Sequence, residues 1–264
     1  MSTPAAIRPQ ALSVEHVSVR FGGLTAVADM SFAVHDGEVV GLIGPNGAGK
    51  TTAFNVITGF LRPSAGAIRF RGAALDGLPP HAVAGRGLVR TFQRTSVFYN
   101  NTVFENVLIG LHRHGRSSLV DALLALPRER ASEHQLSAAV AEILDLVGIA
   151  GRASERAGTL PYGEQRLLGI AVALAARPTM LLLDEPVSGM NATETATVMQ
   201  LIEKIRRSGI TILLVEHDMP MVMGVSDRII VLNYGRIIAE GPPAAIQRDP
   251  EVVRAYLGQS AKRA

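Results

Sequence analysis

Residues 44–52 read Gly-Pro-Asn-Gly-Ala-Gly-Lys-Thr-Thr and directly follow an apolar run at residues 39–43. The apolar run predicts a strand, and the residues after the glycines predict a helix. A chain that passes from strand to helix through such a loop directs several backbone N–H groups into one hollow, which suits a phosphate group. Glycines let the backbone turn tightly and approach a polyphosphate closely, and the loop places them at Gly44, Gly47 and Gly49.

The polar residues of this loop fit the other needs of a nucleotide site. The Lys50 ammonium is placed to reach the β- and γ-phosphates, and the Thr51 hydroxyl is placed to ligate Mg²⁺. The alternative is an ordinary glycine-rich turn, which the strand before, the helix after and the Lys-Thr register argue against. We therefore expect a nucleoside triphosphate and Mg²⁺ here, in a loop that also contains Pro45, Asn46, Ala48 and Thr52.

The composition indicates a soluble α/β protein. The chain has 264 residues, and 47% hydrophobic residues suffice for a sizeable core, while 19% charged residues are too few for a disordered protein. No stretch approaches the ~18–20 apolar residues of a transmembrane helix, and the N-terminus lacks the pattern of a signal peptide. The absence of cysteine excludes disulfides, and a net charge of +3 without a basic block argues against a nucleic-acid partner. We expect a cytosolic ATPase.

Apolar patterns predict where the strands lie. Alternation over residues 12–34 and a short run at 67–70 predict antiparallel strands. Continuous apolar runs at 180–183 and 210–215 predict parallel strands that are covered on both faces. Two apolar runs lie on either side of residues 233–235, and this pattern predicts a hairpin.

Helical patterns surround these strands. Residues 81–92 are expected to form a short helix, and the tail from 242 to 257 two short helices. From about residue 104 to 158 the character is helical, and Gly148 is expected to end one of these helices. The stripe that predicts that helix consists of Leu136, Val140, Ile143, Leu144 and Val147.

Two acids end the apolar run at 180–183. An acid at the carboxyl end of a parallel strand lies where such sheets bind ligands, so Asp184 is expected to hold Mg²⁺. Successive strand residues face opposite ways, which leaves Glu185 to polarise a water for in-line attack on the γ-phosphate. The alternative is that Asp-Glu-Pro is merely a polar strand exit.

His217 follows the next long apolar run. A single His at a strand end is most often a surface or capping residue. Because the preceding strands deliver active groups to the same edge, we expect His217 to hydrogen-bond the γ-phosphate and to help align the attacking water. Gln93 lies where the core gives way to the helical region, and by itself it indicates nothing.

Six elements in this order resemble the nucleotide-binding subunits of ABC transporters over essentially the whole chain. They are the phosphate loop, Gln93, residues 160–165, residues 180–185, residues 188–191 and His217. The resemblance implies an α/β fold: a phosphate-loop ABC ATPase core with an antiparallel β subdomain at residues 1–92 and 178–264. It also implies an inserted helical subdomain at residues 93–177, with ATP and Mg²⁺ as ligands.

The resemblance also assigns roles to residues. It implies that Phe21 stacks on adenine, although a single apolar strand residue also suits a core. It implies that Gln93 contacts Mg²⁺, takes part in catalysis and senses a transmembrane partner. Residues 160–165 correspond to the signature motif, which would cap the ATP held by the opposing subunit through Tyr162, Gly163, Glu164 and Gln165.

The chain departs from the general family pattern at several positions. Pro161 replaces a Ser, which removes one γ-phosphate contact, while Tyr162 replaces a Gly and Glu164 a Gln. Asn191 stands where Asp is common, which weakens any argument about signalling between the two sites. Phe21 stands where Tyr is frequent, a small loss because stacking uses the ring face.

A Tyr-Gly-Glu-Gln signature is typical of one branch, the ATPases of branched-chain amino acid importers. Similar stretches lie at residues 20–24, 90–94, 216–219 and 253–258, and the insertion around 112–135 favours the larger ATPase of those importers. The implied partners are two transmembrane permease subunits, a second ATPase subunit and, indirectly, a solute-binding protein, with this chain peripheral on the cytoplasmic face of a bacterial inner membrane. Urea, amide or lipopolysaccharide systems and non-transport ABC ATPases are the alternatives.

Overall fold

The computed structural model describes residues 8–91, 97–111 and 127–260, which form two sheets and the helices around them. In chain order the strands are β1 Gln10–Phe21, β2 Leu24–His35, β3 Val39–Ile43, β4 Ala65–Phe70, β5 Ala73–Ala74, β6 Leu88–Arg90, β7 Met180–Asp184, β8 Thr211–Val215, β9 Arg228–Asn233 and β10 Arg236–Gly241. The α-helices are α1 Lys50–Ile57, α2 Pro80–Gly85, α3 Val103–Leu111, α4 Pro127–Val147, α5 Tyr162–Ala175, α6 Ala192–Arg207, α7 Met219–Val225, α8 Pro243–Ile246 and α9 Pro250–Ser260.

The larger sheet has the strand order β10-β9-β3-β8-β7-β6, and all its neighbours are parallel except β10 and β9. Every residue of β3, β7 and β8 is buried, as expected for parallel strands covered on both faces. Alternate residues enter two different hydrophobic clusters: Leu181 and Leu183 join one, and Met180 and Leu182 the other. The carboxyl ends of β3, β6, β7 and β8 therefore meet at one edge, where the candidate site lies.

The smaller sheet is antiparallel, with the strand order β2-β1-β4-β5. It confirms the strands expected from residues 12–34 and 67–70. Its core residues share a cluster with one face of the larger sheet and with Phe54 and Ile57 of α1. This packing brings β2 against the start of α1, beside the phosphate loop.

The helices α3, α4 and α5 pack on one another in the middle of the chain. The expected apolar stripe lies in α4, and Gly148 follows the end of that helix with a φ of +82°. A side chain is strained in this left-handed conformation, so glycine suits the position. The other face of the larger sheet shares its hydrophobic cluster with these three helices.

One element was predicted wrongly. The expected helix at residues 81–92 is α2, which ends at Gly85, followed by the strand β6. The three residues of β6 pair with β7, and this tertiary pairing overrides the local helical pattern. The hairpin at 233–235 and the two tail helices are confirmed. Within the described residues, no helix is both long and apolar enough to span a membrane.

Candidate functional site

The phosphate loop joins β3 to α1, and three of its glycines adopt positive φ angles. The values are +151° at Gly44, +81° at Gly47 and +104° at Gly49. A Cβ at Gly44 would collide with the carbonyl oxygen of Leu232, and one at Gly49 would lie 2.7 Å from that of Ala26. Gly44 and Gly49 are therefore required by lack of space, whereas a Cβ at Gly47 would meet open space and glycine is favoured there by the left-handed φ alone.

The helix α1 begins with its backbone N–H groups uncapped by a side chain. Its N-cap is Gly49, and its first turn contains no acidic residue. Free N–H groups and the positive end of the helix dipole favour an anion at this point. The Thr51 side chain lies exposed in this first turn, and Thr52 is half-buried beside it.

Lys50 lies folded over the loop that precedes it. Its Nζ donates hydrogen bonds to the carbonyl oxygens of Gly44, at 2.6 Å, and of Pro45, at 3.0 Å. Burial lowers the pKa of Lys50, while the negative charge of Glu185 acts in the opposite direction. A buried ammonium next to an uncapped helix N-terminus fits a polyphosphate ligand.

Asp184 ends β7 and is a buried residue, with 5% of its surface exposed. Its Oδ2 lies 2.6 Å from Nη2 of Arg90, at the end of the neighbouring strand β6. Its backbone N–H donates to Oγ1 of Thr91 at 3.2 Å. The carboxylate thus stands at the carboxyl edge of the sheet, as a ligand for Mg²⁺ requires.

Glu185 adopts the left-handed conformation, with a φ of +49°. A non-glycine residue in this region is strained, and such residues cluster at functional sites. Its backbone N–H donates to the carbonyl oxygen of Val215 at 2.9 Å, which continues the pairing of β7 with β8. The turn aims the side chain at His217, whose Nε2 lies 3.0 Å from Glu185 Oε1.

The signature segment begins α5, and it contacts the segment that follows β7 in the same chain. A Cβ at Gly189 would lie 3.2 Å from the Tyr162 ring, and a Cβ at Gly163 would lie 2.5 Å from Oε1 of Glu194. Tyr162 is half exposed, and its hydroxyl accepts hydrogen bonds from Arg166 at 2.6 and 3.0 Å.

The remaining polar residues of the signature contact nearby parts of the chain. The Glu164 carboxylate pairs with Arg152 at 3.1 Å, and the Gln165 amide donates to the carbonyl oxygen of Leu160 at 2.9 Å. The helix N-terminus lacks a side-chain cap, because its N-cap residue is Pro161. Its backbone N–H groups therefore remain suited to an anion.

Comparison with known proteins identifies the family. The family model described as ABC transporter matches residues 27–188. The chain belongs to the ABC transporter family. A second model, described as Branched-chain amino acid ATP-binding cassette transporter, matches residues 236–262 of this ABC ATPase.

Curated relatives and a solved structure agree with this ABC assignment. The chain is 44% identical over 250 residues to the high-affinity branched-chain amino acid transport ATP-binding protein BraF of Pseudomonas aeruginosa, covering 94% of this chain and 98% of that one. LivG of Escherichia coli, which carries the same description, matches with the same identity and coverage. The crystal structure of the ADP conformation of an ABC transporter cassette superposes with a TM-score of 0.83 at 32% identity, covering 94% and 99% of the two chains.

The fold places several sequence-predicted residues of this ABC ATPase together. The phosphate loop, Asp184, Glu185 and His217 all follow parallel strands at one edge of the larger sheet. Phe21 ends β1 with 49% of its surface exposed, so it is not a core residue. Gln93 lies outside the described residues.

Asn191 has a clear structural role in this cassette. Its Oδ1 accepts from the backbone N–H groups of Thr193 and Glu194 at 2.9 and 3.0 Å, while Glu194 Oε2 accepts from the Asn191 N–H at 2.9 Å. This capping box begins α6. The Asn therefore caps a helix as well as an Asp would.

The sequence did not reveal a role for two charged residues of the site, Glu216 and Arg90. Glu216 is buried after β8, and its carboxylate accepts from the backbone N–H groups of Val187 at 2.9 Å and His217 at 2.7 Å. It thereby fixes the two segments that carry Glu185 and His217. Arg90 binds Asp184. The available signal was a single charge at the end of an apolar strand, the same signal that identified Asp184.

Proposed function

We propose that this chain is the ATP-hydrolysing subunit of an importer for branched-chain amino acids, peripheral on the cytoplasmic face of a bacterial inner membrane. The observation that carries the proposal is the 44% identity to BraF over 94% of the chain, which extends well beyond the ATPase motifs. The match of the C-terminal segment 236–262 to the model described as Branched-chain amino acid ATP-binding cassette transporter supports the same substrate class.

In this proposal the phosphate loop and the start of α1 bind the phosphates of ATP. The Lys50 ammonium exchanges its loop carbonyls for phosphate oxygens, because a full negative charge is a stronger partner than a carbonyl dipole. Phe21, exposed at the turn into β2, supplies a ring face for adenine. Strand β2 contacts the loop directly, since the Ala26 carbonyl lies close to Gly49.

The carboxylate of Glu185 polarises the attacking water. Its strained backbone aims the side chain toward the site, and His217 at 3.0 Å fixes its orientation. His217 lies at the same edge of the larger sheet as the phosphate loop, where it would hydrogen-bond the γ-phosphate and help align the water. Thr51, Asp184 and Gln93 would hold Mg²⁺, which neutralises charge on the phosphates when bound. The exposed Thr51 and the strand-end carboxylate of Asp184 fit a hard cation with oxygen ligands.

The assembly we propose contains two ATPase subunits, two permease subunits and an external solute-binding protein. The two ATPases, either identical or a similar pair, sandwich two ATP molecules head to tail, and each signature segment caps the partner's ATP. The uncapped start of α5, at Tyr162 and Gly163, suits this role. Residues 1–92 and 178–264 form the nucleotide core, and residues 93–177 form the helical part that meets the permeases. Gln93, at the junction of these two parts, couples ATP hydrolysis to transport through the permeases.

Uptake by whole cells tests the transport proposal. Cells that lack the gene are complemented with the wild-type gene or with the Glu185→Gln variant, and uptake of labelled leucine, isoleucine and valine is measured beside uptake of labelled urea and acetamide. We expect the wild-type gene alone to restore branched-chain amino acid uptake. The deletion strain could instead keep normal uptake of leucine, isoleucine and valine and lose uptake of urea or acetamide. That result would contradict the proposed substrate class but not the assignment as an ATPase.

A further inference from the structure

Arg90 connects three parts of the nucleotide site. It ends β6, and its Nη2 lies 2.6 Å from Asp184 Oδ2 at the end of β7. Its Nη1 donates to Oδ1 of Asn55 on α1 at 2.7 Å. The strand that carries the Mg²⁺ aspartate is therefore tied, through one guanidinium, to the helix that begins at the phosphate loop.

The guanidinium is held in place by packing as well as by hydrogen bonds. The side chains of Arg90 and Asp184 are 7% and 6% exposed. The Cζ of Arg90 lies 5.4 Å from the centroid of the Phe54 ring and 6.0 Å from that of the Phe60 ring. A planar group that stacks on an aromatic ring and bonds two partners has little freedom to rotate.

The orientation of Asp184 is consequently set by groups that are not themselves expected to touch the nucleotide. Among the described residues, the side-chain bond of Asp184 uses Oδ2, and its backbone N–H is held by Thr91. This arrangement leaves Oδ1 for a cation. Partners that orient a metal-binding carboxylate in this way strongly affect metal affinity.

We propose that Arg90 is a positioning residue that fixes Asp184 and so sets the Mg²⁺ requirement of hydrolysis. This inference rests on the proposed role of Asp184 as a Mg²⁺ ligand. Two effects of Arg90 oppose each other, because its positive charge repels a cation while its hydrogen bonds orient the carboxylate. Orientation dominates, because Asn55 and the Phe54 and Phe60 rings fix the plane of the guanidinium, which in turn holds the Asp184 carboxylate in one direction.

The test uses substitutions that separate charge from orientation. Arg90→Lys keeps the charge but cannot bond Asn55 and Asp184 through one rigid plane, and Arg90→Gln removes the charge. Asn55→Ala keeps Arg90 and removes the closer of its two Nη1 partners, the other being Oγ1 of Thr58 at 3.5 Å. The matched control is Arg86→Gln, since Arg86 is a nearby arginine that bonds the carbonyl oxygen of Ala74. Asp184→Asn serves as the reference for the Mg²⁺ site.

Two quantities are measured on each purified variant: the Mg²⁺ concentration for half-maximal hydrolysis at saturating ATP, and the binding of a fluorescent ATP analogue with Mg²⁺ or with EDTA. We expect both Arg90 variants to raise the half-maximal Mg²⁺ concentration about tenfold, and Asn55→Ala to raise it less, as for other partners of metal ligands. The Mg²⁺-dependent gain in analogue binding should shrink in parallel. Analogue binding in EDTA should stay within about twofold of wild type, since the phosphate loop is untouched.

An unchanged or lowered Mg²⁺ requirement in folded Arg90→Lys and Arg90→Gln protein would overturn the inference, and thermal unfolding establishes that each variant is folded. If Arg90→Gln does not fold, Arg90→Lys decides the question: a raised Mg²⁺ requirement supports the inference, and an unchanged one overturns it. An unchanged Mg²⁺ requirement in Asp184→Asn would instead count against the proposed role of Asp184 itself.

Discussion

The Nε2 of His217 lies 3.0 Å from Oε1 of Glu185, although 32 residues separate them in sequence. The two residues follow adjacent parallel strands, β8 and β7, and the buried Glu216 carboxylate bonds the backbone of both segments. Glu185 is also the charge that raises the pKa of Lys50 against the effect of burial. The fold itself therefore brings together Lys50, Glu185 and His217, three of the groups proposed for ATP binding and hydrolysis.

His217→Ala should lower the turnover number while leaving ATP affinity nearly unchanged. The substitution removes the group that orients the Glu185 carboxylate, and we expect a loss of about 100-fold in kcat. Steady-state ATPase kinetics and equilibrium binding of ATP measure the two effects. An Ala substitution at His81, an exposed residue of α2, is the matched control and should be neutral. A His217→Ala variant with wild-type kcat would show that the His217–Glu185 contact has no part in catalysis.

Gly163 and Glu194 should couple in stability. Any Cβ at Gly163 would meet Glu194 Oε1 at 2.5 Å and displace a side chain that completes the capping box of α6. We expect Gly163→Ala and Glu194→Ala each to cost about 1 kcal/mol, the usual value of such a cap. The double variant should cost clearly less than the sum, because the displaced group is absent.

Denaturant unfolding of the wild type, both single variants and the double variant measures this coupling. Strictly additive losses would mean that the signature segment and α6 do not contact each other through Glu194. Interpretation of any Gly163 substitution as an effect on the partner's ATP needs this control, because the same change disturbs its own chain.

Tyr256 should make the stability depend on pH in alkaline solution. Burial raises the pKa of its phenol to about 12, although the backbone N–H of Gly44 favours ionisation. Because the unfolded phenol ionises near its ordinary value of 10, stability from Tyr256 is fully present below pH 10 and is lost between pH 10 and 12. The difference in unfolding free energy between wild type and Tyr256→Phe should therefore shift against the wild type over this range. A pH-independent difference would contradict the buried environment of the phenol.

Much of the fold follows from the sequence, because buried parallel strands have a strong local signature. The runs at β3, β7 and β8 are apolar at nearly every position, and each is followed by polar residues that the fold brings to one edge. The short strand β6 was mistaken for a helix, because a strand of three residues is defined by its partner β7 rather than by its own pattern.

The site was predicted less completely than the fold. Residues with a distinctive spacing, such as Lys50 and Asp184, were found, whereas Arg90 and Glu216 act through contacts with distant segments. The positive φ of Glu185 also has no signal in the sequence, since no glycine marks the position and the conformation appears only in the folded chain. For Arg90 and Glu216, the one indication of a role in the sequence is a single charge at the end of an apolar strand.

Hydrolysis by the Glu185→Gln variant, measured beside its ATP binding, tests the central claim most directly. Gln keeps the shape of the side chain and can still form a hydrogen bond with His217. The substitution removes only the carboxylate that polarises water. We expect kcat to fall at least about 100-fold with ATP affinity unchanged, and an ATP-bound dimer to accumulate. Hydrolysis within about tenfold of wild type, a difference below ~1.4 kcal/mol, would contradict the assignment of Glu185 as the catalytic carboxylate.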